Sequence, residues 1–171
     1  MIKILLHVCC APCSTHSIEA LMKEYSVVLF FSNSNIFPQE EYEKRLENAR
    51  KIASVYGLEL IEDIYDHTAW LSFIKGLEDE PEKGKRCEKC FEFNLARAAQ
   101  KADELGIDHF TTTLTISPHK DSIKIFEIGR RLSDKFLEIN FKKKDGFKHS
   151  LELSDKHELY RQEFCGCEFS R

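Results

Sequence analysis

The stretch Ile2-Lys3-Ile4-Leu5-Leu6-His7-Val8-Cys9-Cys10-Ala11-Pro12-Cys13 runs from a nearly unbroken apolar segment straight into three thiols. Residues 2–8 show little alternation of polar and apolar side chains, which marks a strand buried on both faces of a helix-covered parallel sheet. The first strand of such a sheet is normally central. Its carboxyl end lies at the crevice where the strand order reverses, the place where open α/β sheets bind ligands. Cys9 and Cys10 fall at that end, and Cys13 at the start of the next helix.

Working outward, Ser14 or Thr15 caps a helix reaching about Tyr25, and residues 26–32 form a second buried strand. Pro38, with Glu40 and Glu41, opens a helix in which Tyr42, Leu46, Ala49, Ile52, Ala53 and Tyr56 recur at helical spacing until Gly57. Residues 58–61 read as a third strand, 66–77 as a helix, 78–86 as a charged loop and 87–105 as a helix ended by Gly106. Residues 107–114 are the fourth strand, 119–133 a helix and 137–141 the fifth strand. This alternation predicts an α/β fold, a Rossmann-like three-layer sandwich with a five-stranded parallel sheet and an appended C-terminal helix. Residues 1–171 read as a single α/β domain, in which 142–171 supply a basic loop and helix carrying the last two cysteines.

A chain of 171 residues buries roughly 70% of its unfolded surface, so cross-links are not needed for stability. No segment approaches about 18 apolar residues, and no small-residue cleavage site follows the first strand. A cytoplasmic protein without membrane contact is therefore expected, and in that compartment clustered cysteines read as metal or redox sites. The net charge of −4 excludes a globally basic nucleic-acid binder and leaves local patches to do that work. Nucleotide-binding relatives place glycines in the first turn to cradle phosphate; here Cys-Cys-Ala-Pro-Cys stands there and Pro12 removes an amide donor. ATP or NAD binding at this turn is not expected.

The seven cysteines form three groups: Cys9, Cys10 and Cys13; Cys87 and Cys90; Cys165 and Cys167. Ligands so far apart must be gathered by the fold. Gly84-Lys85-Arg86-Cys87-Glu88-Lys89-Cys90 puts two thiols one turn apart at a helix start among cations, which predicts lowered thiol pKa values. Four thiolates suit zinc or an iron–sulfur cluster. Cys165-Gly166-Cys167, near a C-terminus expected to be mobile, can cycle between a dithiol and a small strained disulfide and so carry two electrons, which favours iron. The alternative is two further metal ligands or an unused tail. Cys13 is left over, either as a core thiol or as a ligand of one additional iron.

Ser117-Pro118-His119-Lys120 follows the fourth strand and should face the crevice, as should Asn33 and Asn35; His119 is a candidate acid and Lys120 a candidate substrate contact. Lys143 and Lys144, in the basic loop with Phe147, and Tyr160 and Arg161, placed with Lys156 on the next helix, suit phosphates and an unpaired base. Tyr42 and Arg45 read as packing and surface residues.

Four strings carry a resemblance: His7-Val8-Cys9-Cys10-Ala11-Pro12-Cys13, Gly84-Lys85-Arg86-Cys87-Glu88-Lys89-Cys90, the segment from Phe110 to Lys120, and Leu159-Tyr160-Arg161-Gln162-Glu163-Phe164-Cys165-Gly166-Cys167. Over essentially its whole length the chain resembles the cobalamin-independent epoxyqueuosine reductases, the QueH family. The resemblance implies reductive removal of the epoxide oxygen of epoxyqueuosine at the tRNA wobble base, the last step of queuosine biosynthesis. It also implies a [4Fe-4S] cluster on Cys9, Cys10, Cys87 and Cys90, a redox-active pair at Cys165 and Cys167, and an external electron donor. The rival classes are a zinc-stabilised RNA-binding module and a general thiol–disulfide oxidoreductase.

Overall fold

The computed structural model describes residues 1–170. Strand β1 (Ile2–His7) pairs in parallel with β2 (Tyr25–Phe31) on one side and with β4 (Phe110–Thr112) on the other, and β3 (Leu60–Glu62) lies beyond β2. Helices α1 (Ala11–Met22), α2 (Gln39–Tyr56), α3 (His67–Phe73), α4 (Lys85–Leu105), α5 (Ser122–Leu132) and α6 (Gly146–Lys156) surround the sheet. The chain steps outward from β1 to β3 and then crosses back to place β4 against the other edge of β1. The order therefore reverses between β1 and β4, and the crevice opens beyond their carboxyl ends.

Strand periodicity divides the core in two. Ile4, Leu6, Val27, Leu29 and Phe31 pack under α1 and α2 against Ile18, Leu46, Ala49 and Ile52. Leu5, Val28 and Phe30 point the other way, to Leu95 and Ala98 of α4 and Ile125 and Ile128 of α5. These two cores are the reason the strands read as continuously apolar. Gly57 and Gly106, both at φ 65, end α2 and α4 in the left-handed conformation. Among the described residues, no helix is long and apolar enough to cross a membrane.

Among the described residues the sheet has four strands, not five. β4 lasts three residues before the chain tightens into a 3-10 helix at Thr113–Ile116, so the segment after α5 has no extended partner to continue a ladder. It keeps one parallel bridge, Phe110 to Phe136. Beyond that, threonine side chains replace backbone pairing: the Thr111 hydroxyl donates to Leu137 O at 2.9 Å and the Thr115 hydroxyl to Ile139 O at 2.9 Å.

Other boundaries differ as well. α1 begins at Ala11 with Cys10 at its N-cap, while Ser14 and Thr15 turn their hydroxyls back to Ala11 O and Pro12 O. Cys10 and Cys13 thus sit three residues apart around the first turn and share a side. α5 starts at Ser122, capped by Asp121, which leaves His119 and Lys120 in the preceding loop. α6 ends at Lys156, so Tyr160 and Arg161 lie beyond it, not on it.

Asp63 ties α4 to the sheet. Arg97 donates to its two oxygens at 2.8 and 2.6 Å, and Ser32 Oγ donates at 2.6 Å. Burial alone would push the Asp63 carboxyl up, but Arg97 and Ser32 outweigh it and hold the group below its usual value. A carboxyl lowered on folding stabilises the fold above about pH 4, and that stabilisation is lost as pH falls through the folded-state value. Arg97→Met should therefore cost about 1–2 kcal/mol at pH 7, less than a fully buried pair because Arg97 is partly exposed. Urea titrations at pH 7 and pH 3 test this: the gap between variant and wild type should shrink at the lower pH.

Candidate metal centre and thiol cavity

A cavity of about 380 Å³ opens at the carboxyl ends of β1 and β4, and all seven cysteines line it. Cys9, Cys10 and Cys13 come from the β1–α1 junction, Cys87 and Cys90 from the first turns of α4, and Cys165 and Cys167 from the C-terminal segment. All are free thiols. The sulfurs of Cys9, Cys10 and Cys13 lie within 4.8 Å of one another, close enough to hold a metal ion.

The floor is set by the strand ends. His7 is completely buried; its Nε2 lies 3.0 Å from Ser32 O and its Nδ1 2.8 Å from Thr112 Oγ1. A carbonyl can only accept, so Nε2 carries the proton and Nδ1 accepts from the hydroxyl. Burial lowers the His7 pKa and keeps the ring neutral. Asn33 Nδ2 donates to Val8 O at 2.8 Å. Thr113 Oγ1 accepts from the Cys9 amide and donates to the Cys9 sulfur, each at 3.1 Å.

Charge in the first thiol group concentrates on one sulfur. Hydrogen bonds from Cys10 and Cys13, with help from Lys120 and Thr113, hold Cys9 well below the usual thiol pKa despite burial. Cys10, although Cys13 hydrogen-bonds to it, is pushed up to about 12 by its bond to Cys9 and by burial; Cys13 is raised by its bonds to both neighbours. The C-terminal pair repeats the pattern: a hydrogen bond from Cys167, with Ser170 and Lys120, brings Cys165 to about 5, while Cys167 rises. Burial works against the Lys120 charge, but Cys9, Cys13 and Cys165 outweigh it and raise its pKa.

Cys87 and Cys90 depart from the sequence expectation. Burial raises both, and the neighbouring charge of Cys165 adds to the rise. The α4 N-cap is Gly84, so Cys90 already lies in the second turn, where the helix terminus acts weakly. In metal-free protein at pH 7, iodoacetamide should therefore label Cys165 at least about tenfold faster than Cys87 or Cys90. Peptide mass mapping at short reaction times checks the order, and the Cys165 rate should plateau between pH 6 and 8.

The C-terminal segment, expected to be mobile, is held at several points. Arg45, 2% exposed, donates Nη1 to Cys165 O at 2.8 Å and Nη2 to Phe164 O at 3.0 Å. The Phe37 amide donates to Gly166 O at 2.9 Å. Gly166 takes φ 138, and a Cβ there would come within 3.0 Å of Ile36 and 3.1 Å of Arg45 Nη1, so only glycine fits. Arg86, 1% exposed, donates to Glu78 O, Glu80 O and Phe169 O.

The family model described as Epoxyqueuosine reductase QueH matches residues 4–171. The chain belongs to the QueH family. A Streptococcus pyogenes serotype M1 protein named Epoxyqueuosine reductase QueH is 40% identical over 177 residues, spanning 98% of this chain and 69% of its own. Proteins of the same name from Acinetobacter baylyi and Thermotoga maritima are 40% and 37% identical over 98% of this chain, covering 80% and 89% of theirs. A solved Methanocaldococcus jannaschii structure, described as a predicted subunit of tRNA methyltransferase, shares the fold with TM-score 0.60 and 14% identity over 87% of this chain and 73% of its own.

In this QueH-family chain, His119 and Lys120 stand with the thiols on the cavity wall, as do Asn33 and Asn35. Lys143, Lys144, Tyr160 and Arg161 do not line it: the lysines lie in the turn before α6, Tyr160 donates its hydroxyl to Glu41 at 2.5 Å, and Arg161 lies 4.0 Å from Asp155. Arg45, Arg86, Trp70 and Thr113 went unselected. Arg45 left a legible signal, since it falls three residues after Tyr42 on the apolar stripe of α2, where a surface arginine does not belong.

Proposed function

We propose that the protein is an epoxyqueuosine reductase acting on tRNA, which removes the epoxide oxygen of epoxyqueuosine at the wobble base by a two-electron reduction. One observation carries this reading: thiols from positions 9 to 167 meet at one cavity, in a chain of the family that bears the name. The donor set is soft and entirely thiol, which fits iron–sulfur chemistry. The Cys9, Cys10 and Cys13 sulfurs, all within 4.8 Å of one another, are close enough to share a metal at thiolate bonds of about 2.3 Å.

On this reading Cys9, Cys10, Cys87 and Cys90 hold a [4Fe-4S] cluster, and Cys13 is a ligand of one additional iron. The cluster, when bound, supplies electrons one at a time. The chain's own residues do the rest. Lys120 keeps a positive charge at the cavity, and with His119, which lines the same cavity, it is the group we assign to meet the oxygen that leaves and to supply a proton. An epoxide, two electrons and two protons give an alkene and water. Cys165 and Cys167 balance this by passing from dithiol to disulfide, which releases two electrons and two protons, and an external reductant restores the dithiol. Lys143, Lys144, Tyr160 and Arg161, outside the cavity, serve the tRNA backbone and neighbouring bases. The enzyme works as one domain in the cytoplasm.

The test is an anaerobic incubation of reduced protein with tRNA bearing epoxyqueuosine, read by nucleoside mass. Loss of one oxygen is the expected result. An unchanged nucleoside with iron-loaded, reduced protein would refute the assignment, and a colourless, zinc-only preparation would favour the RNA-binding rival.

A further inference from the structure

Trp70 is the one tryptophan of the chain and is completely buried. It lies on the cavity wall and in one cluster with Cys167, beside Cys90, Cys165 and Phe169. Its ring is held between neighbours: His67 stacks on it at 5.4 Å and 17°, and Phe169 at 6.4 Å and 22°. His67 is itself fixed, with Nδ1 2.7 Å from Ser34 O and Nε2 2.9 Å from Glu168. The indole cannot turn to find another acceptor.

Nevertheless, among the described residues Nε1 has no well-formed hydrogen bond. A buried N–H without an acceptor costs about 1–3 kcal/mol, so phenylalanine would serve better if packing were the whole purpose. Cys90 packs against the cluster that Trp70 anchors and lines the same cavity, and the indole draws its thiol toward the charged form against burial. A sulfur that carries ligand charge attracts the donor more strongly and is the acceptor the indole lacks.

We propose that Trp70 is a positioning residue that donates its indole N–H to the Cys90 sulfur in the metal-loaded protein and so raises the reduction potential of the centre Cys90 holds. The inference rests on the reading of Cys90 as a ligand. A donor to a ligand sulfur stabilises the more negative, reduced form, and removing it disfavours reduction. One such bond is worth about a tenfold change in the reduction equilibrium, or about 59 mV for a one-electron couple.

Two proteins test this after anaerobic reconstitution: Trp70→Phe, and protein grown on benzothienylalanine, in which sulfur replaces the ring N–H. A single tryptophan means that the analogue changes only this position. Iron per chain is measured first, and the midpoint potential then by redox titration of the visible absorbance. Equal iron with a midpoint about 59 mV lower supports the proposal. Equal iron with an unchanged midpoint in the analogue protein overturns it, even where Trp70→Phe fails to fold. Wild-type protein that takes up no iron overturns the ligand assignment itself, so the two failures are distinct.

Discussion

Serine at Cys165 or Cys167 is expected to lower multiple-turnover reduction by at least about 10³-fold, equivalent to about 4 kcal/mol of barrier, while visible absorbance stays at the wild-type level. Serine preserves size and hydrogen bonding but cannot form a disulfide, so on the proposed reading the dithiol source of the two electrons disappears. On the proposed assignment ligation is untouched, because Cys9, Cys10, Cys87 and Cys90 remain. Steady-state assays on tRNA and spectra of anaerobically purified variants check both halves. Absorbance lost together with activity would make the pair ligands, and full turnover would remove their redox role.

Arg45→Ala is expected to be the most damaging change outside the cysteines. The guanidinium is almost fully buried and donates to two C-terminal carbonyls and, at 3.2 Å, to Glu41. Truncation leaves all three without that donor, which should cost about 3–5 kcal/mol and lower Tm by about 10 °C. Turnover should fall further than stability alone explains, since Cys165 loses its tether to α2. Lysine cannot reach two carbonyls at once, so Arg45→Lys should recover little. Thermal melts and initial rates decide it; a variant that melts within about 2 °C of wild type would mean that water replaces the arginine.

Which parts of the molecule were legible follows from what each residue depends on. Residues 2–8 and 26–32 announced buried central strands because both faces of β1 and β2 are covered, leaving no polar alternation. Gly57 and Gly106 marked helix ends through backbone conformation, a local property. The fifth strand failed because its pairing depended on how far β4 stays extended, and the turn at Thr113 is invisible in a β-branched run. The convergence of Cys9, Cys10 and Cys13 was readable from strand end and helix turn. The pKa values of Cys87 and Cys90 were not, because burial by distant segments overrides the local cations. Trp70 gave no local signal at all, since its partners lie as far away as Phe169.

His7 carries a last implication. By bracing the tips of β2 and β4 from the end of β1 with an uncharged ring, it makes the rim of the sheet rigid through protein bonds alone. Loading of the proposed iron should then be a filling event on a finished scaffold, unlike small zinc modules whose polypeptide collapses only around the ion. Apoprotein stripped by a chelator should keep its far-ultraviolet circular dichroism and accept metal back without refolding.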